Sequence, residues 1–240
     1  MAQTLLIVGD VHGCYHTFRA LLDSHWQPDS MRLIQLGDLT DRGKYIPETI
    51  AFARELAQKY PETVTFLKGN HEKMLLDMWQ MFVEDMSNNG VNAADAIAKI
   101  QLEIRAYSTL PQYFSRRTPP EQIQDDMTWL QERPLYWQND HVFVSHAGIS
   151  AVWGSIDEAL QEEHPESIVW TRNTLKNIGK MQVVGHTPLE TGEAEFREQE
   201  NCWNIDTGAV FGLYLTALHL APDGTVLDTF AVPTKRMDYL

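Results

Sequence analysis

The sequence predicts an α/β fold in which two β-sheets pack face to face and helices cover their outer surfaces. Three observations predict it: short apolar runs alternate with helical patterns in the first 67 residues, a helix-rich stretch follows, and the tail is rich in strand patterns. A length of 240 residues suits one large domain, so we expect a single domain over residues 1–240.

The first part of the chain alternates strand and helix. Mainly apolar runs of four residues, typical of buried strands, occupy positions 5–8, 33–36 and 64–67. Helical patterns lie between them at 17–22 and 47–59. We therefore expect three buried strands here, each followed by a loop at its carboxyl end.

Residues from about 73 to 137 have a helical texture, and we interpret them as a helical insertion carried by the core. Asn92 precedes a helical pattern at 93–107 and can serve as its N-cap. Residues 118–121 have the spacing of a capping box, which predicts a helix from there to residue 130.

Strand patterns return after the insertion. Apolar runs at 142–144 and 181–184 predict buried strands, and residues 155–158 form another capping-box pattern. Three further strands are predicted at 202–205, 214–220 and 226–232. A Pro-Asp-Gly turn at 222–224 joins the last two strands as a hairpin.

Five short polar motifs lie at the ends of five of these apolar runs. They are GDVHG at 9–13, GDLTDRG at 37–43, GNHE at 69–72, HAG at 146–148 and VVGHT at 183–187. Open α/β sheets place ligands at the carboxyl ends of their strands, so we expect the motifs to meet at one edge of the fold. One such motif would be weak evidence, but five in the same relation to a strand make chance a poor explanation.

The polar residues of these motifs suit two divalent metal ions. The candidate ligands are Asp10, His12, Asp38, Asn70, His146 and His186. Asp10 and His12 are two positions apart, so an extended backbone points both to one side. Asp38 is a natural bridge, because one carboxylate can hold two cations with its two oxygens. Imidazoles beside carboxylates and an amide favour manganese, iron or zinc over calcium, and we expect manganese.

The motif series resembles the phosphoprotein phosphatase branch of the calcineurin-like metallophosphoesterases, especially small bacterial and phage serine/threonine protein phosphatases. The related symmetrical diadenosine tetraphosphate hydrolases share most of it. The specific motifs cover residues 9–208, whereas the insertion matches only in general character. The resemblance implies a four-layer αββα sandwich, which agrees with the two-sheet pattern.

The resemblance also implies how the ligands divide. The first metal takes Asp10, His12 and Asp38. The second takes Asp38, Asn70, His146 and His186. Both metals would share a hydroxide that attacks phosphorus directly, and no covalent phosphoenzyme is expected because no Cys or Ser lies in a nucleophile motif.

Five more residues match functional positions of that family. His71 corresponds to the general acid that protonates the leaving oxygen, and Asp41 to the carboxylate that orients it. Arg42 and Arg172 correspond to the arginines that bind the substrate phosphate. Asp206 either orients a metal ligand from behind or is a simple turn aspartate.

The expected activity is a phosphomonoesterase, in the first place a serine/threonine protein phosphatase acting on phosphoproteins. A symmetrical dinucleoside tetraphosphate hydrolase is the alternative. A third hypothesis is a scaffold that has lost catalysis; it is disfavoured because all six ligand positions and the His71 and Asp41 pair are intact. A nuclease-like relative is disfavoured because GHTP at 185–188 replaces the G-H-x-H motif usual there.

Composition limits the partners. Lys and Arg number 19 against 33 Asp and Glu, a formal net charge of −14 that disfavours nucleic acids and anionic membranes. A small phosphorylated substrate stays compatible, because bound dications reverse the local field. Cys14 and Cys202 cannot form a disulfide framework, and no apolar stretch reaches the roughly 18 residues of a membrane helix, so we expect a cytoplasmic protein. A redox role for Cys14 stays open.

Overall fold

The structure is a computed structural model that describes residues 3–88 and 108–239. Its strands are β1 (Thr4–Val8), β2 (Met31–Gln35), β3 (Val64–Phe66), β4 (Tyr136–Gln138), β5 (Val142–Ser145), β6 (Met181–Val184), β7 (Glu195–Arg197), β8 (Cys202–Asn204), β9 (Tyr214–Leu220) and β10 (Val226–Pro233). Its α-helices are α1 (Tyr15–His25), α2 (Ile46–Lys59), α3 (Asn70–Asn88), α4 (Thr109–Ser115), α5 (Pro120–Gln131), α6 (Ile156–Ala159) and α7 (Arg236–Tyr239). Over these residues, no helix has the length and apolar character needed to cross a membrane.

The strands form two five-stranded mixed sheets. The first has the order β10-β9-β1-β2-β3, in which β1, β2 and β3 are parallel and β9 and β10 antiparallel to their neighbours. The second has the order β4-β5-β6-β8-β7, with β5, β6 and β8 parallel and the two edge strands antiparallel. The predicted α/β architecture, two sheets flanked by helices in a four-layer αββα sandwich, is confirmed.

Strand β1 illustrates how the layers are held together. Leu5 and Ile7 belong to the cluster between the sheets, which also contains Val142, Val144 and Val183 of the second sheet. The alternate side chains Leu6 and Val8 belong to the cluster beneath helices α1 and α2. Successive side chains of a strand point to opposite faces, so an all-apolar run is the pattern of a strand buried on both sides. Each fully buried side chain of this kind contributes about 1.5–3 kcal/mol.

The predicted strands are confirmed, and two short ones were missed. All eight apolar or alternating runs form strands within one or two residues of the expected bounds. The missed strands, β4 and β7, are three residues long at the edges of the second sheet and none of their residues is buried. Edge strands this short lack the apolar run that identifies a buried strand.

The capping predictions had mixed outcomes. Ser155 caps α6, since its hydroxyl accepts a hydrogen bond from the Glu158 backbone N–H. The capping box expected at 118–121 is wrong, because α5 has Pro119 at its N-cap and no side-chain cap. The predicted helix at 93–107 lies outside the described residues. Within the region from about 73 to 137, the described residues form most of α3, all of α4 and α5, and the first two residues of β4.

The C-terminal segment closes the fold by capping helix α1. The N-cap residue Cys14 makes no side-chain hydrogen bond to the helix. Instead the buried carboxylate of Asp238 accepts hydrogen bonds from the backbone N–H groups of His16 (3.2 Å) and Thr17 (2.8 Å), and from the Thr17 hydroxyl (2.6 Å). An acid from the last turn therefore satisfies the amino-terminal N–H groups of the first helix.

Removing this cap should destabilise the whole domain. We expect Asp238→Ala to lower the free energy of unfolding by about 1–2 kcal/mol, because buried N–H groups lose their acceptor. Urea denaturation would measure the change, with Asp228→Ala on the exposed face of β10 as the control. Equal stability of the two variants would contradict a capping role.

Candidate metal centre

The six candidate ligands lie together at one edge of the sandwich. Loops after β1, β2, β3, β5 and β6 supply them, as the strand-end pattern predicts. The residues are Asp10, His12, Asp38, Asn70, His146 and His186, and none is more than 5% exposed. Polar groups this deeply buried require hydrogen-bond or metal partners. The contacts among these six side chains show which of their atoms lack one.

Much of the site backbone is strained. Five non-glycine motif residues have left-handed backbone conformations, with φ between 45° and 69°: His12, Asp38, Asp41, Arg42 and His186. Such conformations cost of order 1–3 kcal/mol each and persist only where the surroundings enforce them. They occur where the chain turns sharply at a strand end, which brings consecutive polar side chains towards one point.

Two glycines allow the carboxylates to approach the backbone. A Cβ atom on Gly69 would collide with the Asp38 carboxylate, and one on Gly185 would collide with the Asp10 carboxylate. Any larger residue at either position would displace a candidate ligand. These two motif glycines therefore shape the site directly.

Three histidines each have one ring nitrogen fixed by a backbone carbonyl. His12 donates from Nδ1 to Thr40 (2.8 Å), His146 from Nδ1 to Leu36 (3.1 Å) and His186 from Nε2 to Trp170 (3.0 Å). A carbonyl oxygen only accepts, so in each ring that nitrogen carries the proton and the other presents a lone pair. Histidines that bind metals are commonly oriented by this kind of hydrogen bond.

The free nitrogens of two of these rings converge with an amide oxygen. Nε2 of His146 lies 3.2 Å from Nδ1 of His186, and both lie 2.9 Å from Oδ1 of Asn70. Burial lowers the pKa of His146 far below its ordinary value and that of His186 to about 3, so neither ring takes up a proton at neutral pH. Three lone-pair donors facing one another without a proton between them fit a bound cation.

The carboxylates point to the same conclusion. Oδ1 of Asp10 is buried without a hydrogen-bond partner, while its Oδ2 accepts from the backbone N–H of His186 at 3.0 Å. Burial, followed by the charges of Asp206 and Asp38, raises the pKa of Asp10 well above its usual range. Burial raises the pKa of Asp38 to about 7 and that of Asp206 to about 6. A divalent cation relieves this clustering of negative charge.

Two groups of side chains could each hold an ion, and Asp38 belongs to both. The ligand atoms of Asp10, Asp38 and His146 lie within 4.8 Å of one another, as do those of His12, Asp38 and His71. Asn70 and His186 extend the first group through the contacts just described. Asp206 is near enough for its charge to raise the pKa of Asp10, and its Oδ1 accepts from the backbone N–H of Gly208 at 3.1 Å.

His71 and Asp41 form a hydrogen-bonded pair beside the ligands. Nδ1 of His71 donates to Oδ2 of Asp41 at 2.9 Å, and Oδ1 of Asp41 accepts from the Thr109 hydroxyl at 2.6 Å. Nε2 of His71 faces Nη2 of Arg42 at 3.2 Å. Burial by itself lowers the pKa of His71, but the charge of Asp38 and the hydrogen bond that His71 donates to Asp41 outweigh it and raise the pKa. The arrangement holds this ring in one orientation with its Nε2 towards the site.

Both candidate phosphate-binding arginines lie at the rim. Arg42 and Arg172 are exposed, and neither forms an ion pair with a carboxylate of residues 3–88 or 108–239. Nη1 of Arg172 donates to the carbonyl of His186 (3.3 Å) and to the Thr187 hydroxyl (3.1 Å), which places the guanidinium beside His186. Their charges remain available to an anionic ligand.

Sequence reasoning missed Glu72, the buried residue that holds the Asp38 loop. Its carboxylate accepts from the backbone N–H groups of Asp38 (2.7 Å), Leu39 (2.8 Å), Thr40 (3.1 Å) and Gly69 (2.8 Å), and from the Thr40 hydroxyl (2.9 Å). Five hydrogen bonds to one carboxylate enforce the left-handed turn at Asp38. An acid within GNHE, just before the helical stretch that begins at about residue 73, was the available signal.

Thr109 was also missed, because its hydrogen bond to Asp41 is visible only in three dimensions.

The two cysteines are unreactive in this environment. Cys14 and Cys202 are both buried, and burial raises the pKa of the Cys14 thiol and raises that of Cys202 to about 12. Thiols that stay protonated in a buried environment are poor nucleophiles.

Comparisons with known proteins agree with the geometry. A family model described as calcineurin-like phosphoesterase matches residues 3–212. An asymmetrical bis(5'-nucleosyl)-tetraphosphatase of Bacillus cereus is 30% identical over 253 residues, covering 95% of this chain and 94% of that protein. Two solved structures share the fold. A candidate diadenosine tetraphosphatase has a TM-score of 0.65 at 19% identity, covering 98% of this chain and 96% of its own. A serine/threonine phosphatase of Saccharomyces cerevisiae has a TM-score of 0.62 at 13% identity, covering 98% and 81%.

The family match and the cluster of buried ligands together define a metal-dependent enzyme that hydrolyses phosphoester bonds. The chain belongs to the calcineurin-like phosphoesterases. The resemblance carried by the five motifs is thereby confirmed at the level of the family, which implies divalent metal ions as cofactors.

Glu72 provides a test of how the site loop is held. We expect Glu72→Gln to lower the free energy of unfolding by about 3 kcal/mol or more, because hydrogen bonds to a buried charged group contribute roughly 1.5–3 kcal/mol each. Urea denaturation would measure it. Glu121→Gln is a matched control, since Glu121 is an exposed acid in the first turn of α5. A loss no larger than that of the control would contradict the anchoring role.

Proposed function

We propose that this chain hydrolyses dinucleoside tetraphosphates. The observation that carries the proposal is the similarity, over nearly the full length of both chains, to relatives whose names state that activity. The serine/threonine phosphatase expected first from the motifs has weaker support, since that likeness is at 13% identity and concerns the fold alone. The sequence alternative specified symmetrical cleavage, whereas these relatives are named as asymmetrical. We therefore propose a nucleoside monophosphate and a nucleoside triphosphate as products.

The metal ligands in this proposal are the six buried residues. By the family resemblance, Asp10, His12 and Asp38 would hold one divalent ion, and Asp38 with Asn70, His146 and His186 would hold the other; in the structure Asp10 lies close to His146 as well, and His12 close to His71. Neutral imidazoles with carboxylates and an amide suit manganese, with iron or zinc as alternatives. Bound there, divalent ions supply Lewis acidity that activates water and withdraws charge from the phosphate.

The protein groups then have separate tasks. Arg42 and Arg172 can bind the phosphate oxygens from the rim, because neither charge is neutralised by a carboxylate of the described residues. His71 faces the same space with Nε2, from which it delivers a proton to the departing oxygen, while Asp41 holds its Nδ1. Asp206 acts indirectly, as a positioning neighbour of Asp10.

A nucleotide leaving group suits this arrangement. A nucleoside phosphate departs with a lower pKa than a serine alkoxide, so less of the barrier depends on protonation by His71. Charge also supports a small substrate: the net charge of −14 repels large polyanions at long range, while Arg42 and Arg172 at the site form no ion pair with a carboxylate of the described residues. We also propose one domain over 1–240, an insertion at about 73–137 that shapes the groove, and a cytoplasmic location.

A substrate panel tests the activity. With manganese present, we expect kcat/KM for diadenosine tetraphosphate to exceed that for phosphoserine, phosphothreonine and phosphotyrosine peptides by at least 100-fold, with AMP and ATP as products. Chromatography of the nucleotides and release of phosphate from the peptides give the two rates. Faster cleavage of the peptides would overturn the proposal, and two molecules of ADP would overturn the proposed position of cleavage.

Metal loading can be measured without activity. At a concentration about 1,000 times its Kd, manganese should stabilise the chelated protein by about 4 kcal/mol, which for a chain of this size raises Tm by roughly 8–16 °C. Asp38→Ala should lose most of this shift, whereas Asp140→Ala, a change at an exposed carboxylate, should keep it. Elemental analysis should give two metals per wild-type chain, and a single ion would contradict a shared Asp38.

A further inference from the structure

Phe211 is an exposed aromatic residue next to the site. It ends the 3₁₀ turn at Ala209–Phe211, and 58% of its surface is exposed. Single exposed apolar residues are common and need no explanation. Phe211 differs from most of them because its ring lies 5.5 Å from the guanidinium carbon of Arg42, a residue of the second motif.

The turn that carries Phe211 is tied to the metal centre. Gly208 donates its backbone N–H to Asp206 at 3.1 Å, and Phe211 donates to the carbonyl of Gly208 at 3.0 Å. Gly208 and Gly212 flank the turn in left-handed conformations, with φ of 73° and 83°. The ring is therefore presented to solvent by a short turn whose base is fixed to the acidic cluster.

Arg42 contacts two groups of different chemistry. Its Nη2 is 3.2 Å from Nε2 of His71, and its guanidinium lies over the Phe211 ring. A nucleotide has its groups in the same order: a departing oxygen, a phosphate, and a base one ribose away. The matching order is acid, arginine and aromatic ring.

We propose that Phe211 is the residue that stacks on a nucleobase of the substrate, with Arg42 holding the adjacent phosphate. The inference rests on the proposed function, since it names the group that binds the nucleoside of that substrate. Stacking on an aromatic face does not depend on charge and tolerates any base, so it adds affinity for a nucleoside on a strongly acidic protein. Phe211 is thus a specificity-determining residue.

A pair of uncleavable ligands isolates this contact. The phosphonate analogue of AMP carries a nucleoside, methylphosphonate does not, and both present one phosphonate group to the site. Calorimetric titration of the manganese-loaded protein measures both affinities. We expect Phe211→Ala to weaken the nucleoside phosphonate about tenfold, within the range that loss of a base-stacking side chain produces. Binding of methylphosphonate should change less than twofold.

Three further variants sharpen the test. Phe211→Trp should retain the nucleoside affinity, and Phe211→Leu should behave like Phe211→Ala because it lacks an aromatic face. Phe196→Ala removes another exposed phenylalanine, one that packs on Trp203, and should change neither affinity.

Two results would overturn the proposal. Equal weakening of both ligands in Phe211→Ala would mean that the ring only positions Arg42, and unchanged nucleoside affinity would mean that no base contacts it. These outcomes are separate from failure of the proposed function. If wild-type protein does not cleave diadenosine tetraphosphate yet binds the nucleoside phosphonate through Phe211, the activity proposal fails and the stacking site remains.

Discussion

The site depends on one electrostatic constraint: groups that repel or cannot satisfy one another are buried together. Asp10, Asp38 and Asp206 lie in one buried cluster, and burial raises the pKa of each of their carboxyls. The free nitrogens of His146 and His186 face each other without a proton to share. Burying such groups is costly unless something of opposite charge lies among them. A bound metal ion supplies that opposite charge, so the arrangement is favourable as a set of metal ligands.

The constraint explains why polar anchors from distant parts of the chain surround the site. The left-handed turn at Asp38 would relax if nothing held it, and Glu72 holds it with bonds to consecutive N–H groups. Thr109 fixes Asp41 from helix α4, and Asp238 fixes the start of helix α1 just after the first motif. The strained loops of the candidate ligands are thus held in place by hydrogen bonds to carboxylates and hydroxyls of residues that surround them.

These anchoring residues are the part of the site that the sequence could not predict. Buried strands such as β1 and β6 have a local signature, because an apolar run with a polar motif at its end depends only on neighbouring residues. The motif residues could therefore be assigned to one edge of the fold from the sequence alone. Asp238 and Thr109 have no local signature, since each acts on a partner far away in the chain. Glu72 was nearer to detection, but its five acceptor contacts depend on how two loops meet.

The residues that select the substrate need not be those that carry out the reaction. The proposed metal ligands, general acid and arginines would act on any phosphoester that reaches the centre, so they cannot by themselves distinguish a phosphoserine from a nucleotide. In the proposed reaction the leaving group is already a stabilised anion, so protonation by His71 would contribute less to the rate, and contacts to the unreacting part of the substrate would contribute more to selectivity. Those contacts lie at the rim, where Arg42 and Phe211 are exposed side by side. The motifs therefore identify the family and its reaction, whereas the proposed choice of substrate depends in addition on a residue outside them, Phe211.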